Sequence, residues 1–376
     1  MARATGETRG LAAIPAFVVV GLSRLAGGDE DRRPGRKRLA HLRPPRGTAA
    51  FPDDVRKETE VTDDPIAVQA SVTPRTAAGR RRKVLVVGAT GFLGGKILRR
   101  LEQDETVSVR AMSRRGAPVD AGGTVEWVRA DMMDAASLRA ALDGVDVVVS
   151  SANGYMKESI QTDFQGNKNL IEAASRAGVK RFVFLSVVAC EAAPETPHFH
   201  AKKVAEDLIK ASGLSFVLVR APAFLDQSKD YVAEGVRAGR LYAVGDKTTR
   251  WSYVLTDDLA TNVAKAATYQ GEEIANQTID IGWRDGAKSQ GELADLIALV
   301  TGRRLSIWVV PWSALRTMAR PVKLFSELGY DLIQMFLFFR TGRFTADTSK
   351  QERFFGPAPT ALDAVTRWAN GAKLIP

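Results

Sequence analysis

A glycine-rich heptad, Gly88-Ala89-Thr90-Gly91-Phe92-Leu93-Gly94, directly follows a short apolar run, Lys83-Val84-Leu85-Val86-Val87. The run has the nearly continuous apolar character of a strand covered on both faces. Behind the glycines, Phe92, Leu93, Ile97, Leu98 and Leu101 recur at helical spacing. Glycines in such a turn let the backbone approach a pyrophosphate closely. The helix that follows aims its free N–H groups and the positive end of its dipole at that anion. Glycine-rich turns are common by themselves, and the place of this one between a strand and a helix gives it weight.

The alternation continues downstream. Strands are expected at Thr106 to Met112, Val125 to Arg129, Asp146 to Ser150, Arg181 to Leu185 and Phe216 to Val219. Helices fall between them: one begins at Asp134 and is stopped by Gly144. A longer one, lined by Ile160, Phe164, Leu170, Ile171 and Ala174, ends at Gly178. Another, carrying Val204, Ala205, Leu208 and Ile209, is closed by Gly213. Strands alternating with helices imply an α/β fold, a doubly wound parallel sheet of the Rossmann type, over residues 81–220. From Arg220 onward the alternation loosens. Strand-like pieces at Gln277 to Ile281 and Leu305 to Val310 mix with a helix at Ser289 to Val300, and a strongly apolar helical stretch runs from about Ser313 to Arg340. Residues 221–376 are therefore expected to form a substrate lobe on the sheet's carboxyl end, where open α/β sheets bind ligands. Residues 1–80 hold arginine, proline and alanine without periodicity and read as a poorly ordered extension.

The end of the second strand bears on which dinucleotide binds. Sites that prefer NAD place an acid there to hold the ribose 2′-hydroxyl. Here the sequence is Val109-Arg110-Ala111-Met112-Ser113-Arg114-Arg115, without an acid. Arg114 and Arg115 are suited to charge-assisted bonds with a 2′-phosphate; the competing reading is a pair of solvated surface arginines. NADP(H) is the expected cofactor. After the third strand, Asp131 in Ala130-Asp131-Met132 is placed to accept from an adenine amino group or simply to start the next helix.

These segments, with Gly166-Asn167-Lys168-Asn169, Gly178 to Ser186, Ala201-Lys202-Lys203-Val204-Ala205-Glu206, Val219-Arg220-Ala221-Pro222 and Tyr253 to Ala260, together resemble the NmrA-like, or atypical, branch of the short-chain dehydrogenase/reductases. The resemblance covers most of residues 83–265. It implies cofactor contacts along Gly88–Gly94, at Arg114, Asp131 and Met132, and at Ser151 and Ala152 after strand four. It leaves the chemistry open, because the branch holds both reductases and non-catalytic redox sensors. Short-chain dehydrogenases generally place a tyrosine four residues before a lysine that holds the nicotinamide ribose. Lys202 matches the lysine, but the position four before it is His198. The usual serine is also displaced, with Ser186 about two residues early and Val188 in its place. His198, or His200 near it, is a candidate proton donor at neutral pH; the bland reading is a helix start beside Pro197. Phe224, Trp251 and Tyr253 are candidates to line an apolar pocket. The run Leu332 to Phe339 is core, a lid, or a membrane-surface or homo-oligomer contact.

Cys190 is the only cysteine and His41, His198 and His200 the only histidines, so an intrachain disulfide is excluded and no metal site is expected. A reducing, cytoplasmic setting is compatible; the apolar Leu11 to Leu22 stretch, interrupted by Pro15, leaves organelle targeting as the alternative. The formal net charge of +10 is diffuse, and its densest runs lie at or before the start of the fold, so no nucleic-acid partner is expected. The expected activity is an NADP(H)-dependent oxidoreductase acting on an apolar small molecule, a carbonyl or an activated double bond. The alternatives are an NADP(H)-sensing regulator and a membrane-associated assembly factor.

Overall fold

In the computed structural model, seven parallel strands form one sheet in the order β3-β2-β1-β4-β5-β6-β7. Residues 80–375 are described, apart from 120, 122, 155–158 and 228–229; the expected N-terminal extension lies outside them up to residue 79. The strands are β1 (Arg82–Val87), β2 (Val107–Ser113), β3 (Glu126–Arg129), β4 (Val147–Ser150), β5 (Arg181–Val187), β6 (Phe216–Ala221) and β7 (Gln277–Asp280). The order reverses between β1 and β4, which pair from Val84 with Val147 to Val87 with Ser150. That reversal opens a crevice at the carboxyl end of β1.

Alternate residues of each strand face opposite layers, and both layers are dry. Val84, Val86, Val149, Val183 and Val217 pack under α1 (Phe92–Glu102) and α6 (Thr256–Thr268). Leu85, Val87, Val148, Phe182 and Leu218 pack under α2 (Ala135–Leu142), α3 (Asn167–Arg176) and α4 (Pro197–Ala211). This double burial accounts for strands that read as unbroken apolar runs. The sheet layer also draws on residues beyond 220, where the sequence reading ended it. The strand-like piece expected at Gln277 to Ile281 is β7, four residues long, which pairs with β6 from Gln277–Val217 to Asp280–Arg220.

Two helices differ from expectation. The one read from Ile160 to Ala174 is π-helical over Ser159–Gly166 and becomes α3 only at Asn167. The apolar stretch from Ser313 to Arg340 is a hairpin of α8 (Trp312–Phe325) and α9 (Glu327–Phe339). The break is at Ser326, whose Oγ accepts from the Gly329 N–H at 3.0 Å. One face of α9 is core: Ile333, Phe338 and Phe339 are buried, with Phe339 stacked on Phe344 at 4.2 Å between ring centroids. Trp251 and Tyr253 are also core rather than pocket lining. They sit 6.0 Å apart in the same aromatic cluster, and Gln290 donates to the Tyr253 hydroxyl at 2.6 Å. Phe224 stays partly buried at the edge of the first layer.

The layers are tied by a buried ion pair. Arg220 on β6 donates to both carboxylate oxygens of Glu206 on α4, at 2.8 and 2.7 Å, and Glu206 is fully buried. Burial pushes the Glu206 carboxyl up, but the hydrogen bonds and charge of Arg220 outweigh it and hold it below the ordinary range. A carboxylate depressed in the fold stabilises above its unfolded pKa, about 4.3, and that contribution is lost as pH falls through the folded value. Replacing Arg220→Met strands the carboxylate, with Lys210 at 3.6 Å as its remaining cation. The expected loss is about 3 kcal/mol at pH 7, measured by urea unfolding, and it should shrink as pH falls below about 4.3. A pH-independent loss would show that packing, and not the charge, is what Arg220 supplies.

Candidate functional site

The glycine turn is shaped by steric necessity. Gly88 has φ +85°, in the left-handed region that disfavours a side chain. A Cβ there would stand 2.8 Å from the Ala152 nitrogen, at the end of the neighbouring strand β4. At Gly94 a Cβ would fall 2.0 Å from the Gly88 carbonyl oxygen. The first turn of α1 therefore seats directly on the turn that precedes it, with the Gly91 N–H donating to the Gly88 carbonyl at 2.9 Å. Ala89, Leu93 and Gly94 are buried beneath, while Thr90, Gly91 and Phe92 are exposed at the crest. A cradle that leaves room for backbone alone, at a helix N-terminus and a sheet switch point, fits a pyrophosphate.

The other candidates gather around this crevice to differing degrees. Arg114 and Arg115 are exposed just past β2. Asp131 Oδ1 accepts from the Met133 N–H at 3.0 Å, and Asp134 caps α2 by accepting from Ala136. The helix start is thus Asp134, and Asp131 shapes the turn before it. Met132 is buried against Gly166, and its carbonyl accepts from Asn169 at 2.9 Å. The Ser151 hydroxyl turns inward to the Val87 carbonyl at 2.9 Å, which joins the ends of β1 and β4.

Lys202 and His198 share α4 but engage different carboxylates. Lys202 Nζ lies 2.9 Å from Asp163 Oδ1, donates to the Ala152 carbonyl at 3.4 Å and stands over the Phe184 ring at 5.0 Å. The Asp163 backbone carbonyl accepts from Asn167, whose own carbonyl accepts from Ser150 at 2.8 Å. Lys202 is thereby fixed at the carboxyl end of β4 by a buried polar network. His198, one turn earlier, meets a different acid, with Nδ1 2.6 Å from Asp331 Oδ1 on α9. Asp331 is buried and its Oδ2 has no hydrogen-bond partner. Sequence reading missed both acids. Asp331 carried a signal, as a lone carboxylate in the apolar run Leu328 to Phe339; Asp163 carried none. Ser186 and Cys190 lie deeper. Burial, then the charge of Glu206, pushes the Cys190 thiol up to about 12, so it is no nucleophile at neutral pH.

The cradle yields a sharp test. Gly94→Ala must push α1 off the Gly88 carbonyl and should lower dinucleotide affinity by at least about tenfold, with about 1–3 kcal/mol of lost stability. Gly95→Ala is the control, since its Cβ would meet the Ala89 carbonyl at an ordinary 3.6 Å. Equal affinities for the two variants, by titration calorimetry, would exclude the close approach as the cause of binding.

Comparison with known proteins bears on the fold and the class of cofactor. A family model described as NAD(P)H-binding matches residues 88–268. The chloroplastic High Chlorophyll Fluorescence Phenotype 244 protein of Arabidopsis thaliana is 31% identical over 265 residues, 69% of this chain and 65% of that protein, so the match spans just under two thirds of the relative. The photosystem II assembly factor Ycf39 of Synechocystis is 26% identical over 65% of this chain and 75% of its own length. The NAD(P)H azoreductase of Xenophilus azovorans is 30% identical over 58% of this chain and 74% of its own length. In structure, the Escherichia coli NADPH-dependent quinone oxidoreductase complexed with NADPH superposes with a TM-score of 0.62, at 21% identity, over 76% of this chain and 99% of that one, which speaks for the fold. With its glycine cradle, seven-stranded parallel sheet and NAD(P)H-binding match, the chain belongs to the NmrA-like, atypical branch of the short-chain dehydrogenase/reductase family.

Proposed function

We propose that the protein is an NADP(H)-dependent oxidoreductase that reduces an apolar small molecule bearing a carbonyl or a conjugated, activated double bond. The observation that carries this reading is the buried Lys202 ammonium, held by Asp163 and the Ala152 carbonyl at the carboxyl end of β4. A buried, charged side chain beside a ligand crevice is a candidate for work on a bound ligand. NADPH bound in the cradle would supply a hydride. Lys202 would hold the ribose hydroxyls, and Arg114 would meet the 2′-phosphate. Asp331 fixes the His198 ring through Nδ1, which leaves Nε2 as the atom to exchange a proton with substrate. A conjugated acceptor spreads the charge that hydride addition creates and so needs a weaker acid than an isolated carbonyl. That suits a site with no tyrosine four before Lys202, and one relative is named as an azoreductase.

A second reading, a non-catalytic NADP(H)-sensing or assembly protein, is favoured by one feature of the same site. Lys202 and His198 each already face a buried carboxylate, and a relative is named as an assembly factor.

Two measurements separate these readings. Arg114→Ala should weaken NADPH binding by about 1.5–3 kcal/mol and leave NADH binding unchanged; a parent protein that binds both equally would remove the NADP(H) preference. His198→Phe should lower turnover by about 10²–10⁴-fold with cofactor affinity intact, whereas Lys202→Met should depress both. Tight NADPH binding with no oxidation across carbonyls, enones, quinones and azo compounds would give the protein to the sensor reading.

A further inference from the structure

The α8–α9 hairpin carries a surface that the dinucleotide site does not use. Arg316, Arg320 and Lys323 follow one another at spacings of four and three along α8, so they share one face. All three are exposed and line an open groove of about 790 Å³, with Tyr330 and Gln334 of α9 opposite. Among the described residues none of the three cations forms an ion pair; Lys323 stands over the Tyr330 ring at 5.0 Å. The acids on the facing helix are Glu327, exposed in the first turn of α9, and Asp331, which is buried and turned to His198. Beside Lys323, at the tip of the hairpin, Leu324 and Phe325 are 79% and 87% exposed. The opposite face of α8 is satisfied, since Leu315 and Ala319 are buried with Ile333 against Val244 and Val310. The exposed apolar tip is therefore no part of the core.

We propose that this hairpin docks the protein on an anionic membrane surface. Three unpaired cations flanking two bare apolar side chains match a partner that is negative at its surface and apolar beneath: the cations meet lipid phosphates while Leu324 and Phe325 enter the acyl boundary. A second copy would bring the same cations against each other across a two-fold axis. A small anion would occupy the groove but leave the tip bare. Among the described residues no helix is long and apolar enough to cross a membrane, so the contact is interfacial. The proposal stands apart from the reductase reading and survives its failure.

Vesicle flotation of the full chain tests it, using phosphatidylcholine alone and phosphatidylcholine mixed with phosphatidylglycerol. Binding is expected to the anionic vesicles only and should fall as salt shortens the Debye length. Arg316→Glu combined with Arg320→Glu should lower partitioning by at least about tenfold, given roughly fivefold for each neutralised cation. Leu324→Ser combined with Phe325→Ser should lower it by at least about tenfold even at low salt. Unchanged circular dichroism, thermal unfolding and NADPH affinity would show both variants folded. The proposal is overturned by absence of vesicle binding or by equal binding to zwitterionic vesicles. It is also overturned if both variants bind like the parent, which would move the activity to the basic residues before the fold. A concentration-dependent dimer, lost in the tip variant while vesicle binding persists, would assign the tip to a second copy and overturn it too.

Discussion

Everything at the crevice depends on the absence of two Cβ atoms. Positions 88 and 94 are filled by backbone alone, so α1 begins on top of the Gly88 carbonyl and against the end of β4. Because β1 and β4 are neighbours at the point where the strand order reverses, the same contact places the free N–H groups of α1 at the mouth of the sheet. The helix is then held from its far side: Lys96 Nζ donates to Thr256 Oγ1 and Asp257 at 2.7 Å and reaches Asp226 at 3.4 Å. The cradle is thus held on one side by the sheet and on the other by α6.

A chain of buried polar groups carries this order from the cradle toward the candidate chemistry. Ser150 fixes Asn167, Asn167 fixes the carbonyl of Asp163, and the Asp163 carboxylate fixes Lys202. Removing one member of such a pair leaves the other charged and dry, at about 3–5 kcal/mol, so the network specifies one arrangement more than it adds stability. The π-helical segment Ser159–Gly166 belongs to the same device, because it supplies Asp163 just before α3 begins. Glu206, one turn beyond Lys202, anchors α4 to β6 through Arg220, and the face of α4 that bears Lys202 is thereby held from both ends.

His198 connects that helix to the C-terminal hairpin. Its bond to Asp331 is a polar link between α4 and α9, set in a cluster where Phe199 packs edge-on to Phe338 at 5.9 Å. Repacking of the hairpin would be felt at the histidine, and the reverse holds as well. The His198–Asp331 contact thus joins the helix that bears Lys202 to the α8–α9 hairpin.

The cradle was legible in the sequence because its requirements are local. A strand buried on both faces must be continuously apolar, a turn in the left-handed region wants glycine, and an amphipathic helix repeats every three to four residues; Val84 to Leu101 satisfies all three in order. The core strands were equally plain; Gln277 to Ile281 also read as a strand piece, but its place in the sheet comes only from pairing with β6. The family resemblance placed His198 where a tyrosine is usual. What the sequence held no trace of is the partner each polar group meets. Asp163 reaches Lys202 from 39 residues away and Asp331 reaches His198 from 133. Trp251 and Tyr253, read from the sequence as candidates to line an apolar pocket, went to the core because α9 packs over them. Such contacts arise from how helices lie across the sheet, and no local pattern encodes that; the chain's periodicity determined the dinucleotide fold, and tertiary packing alone decided which charges meet within it.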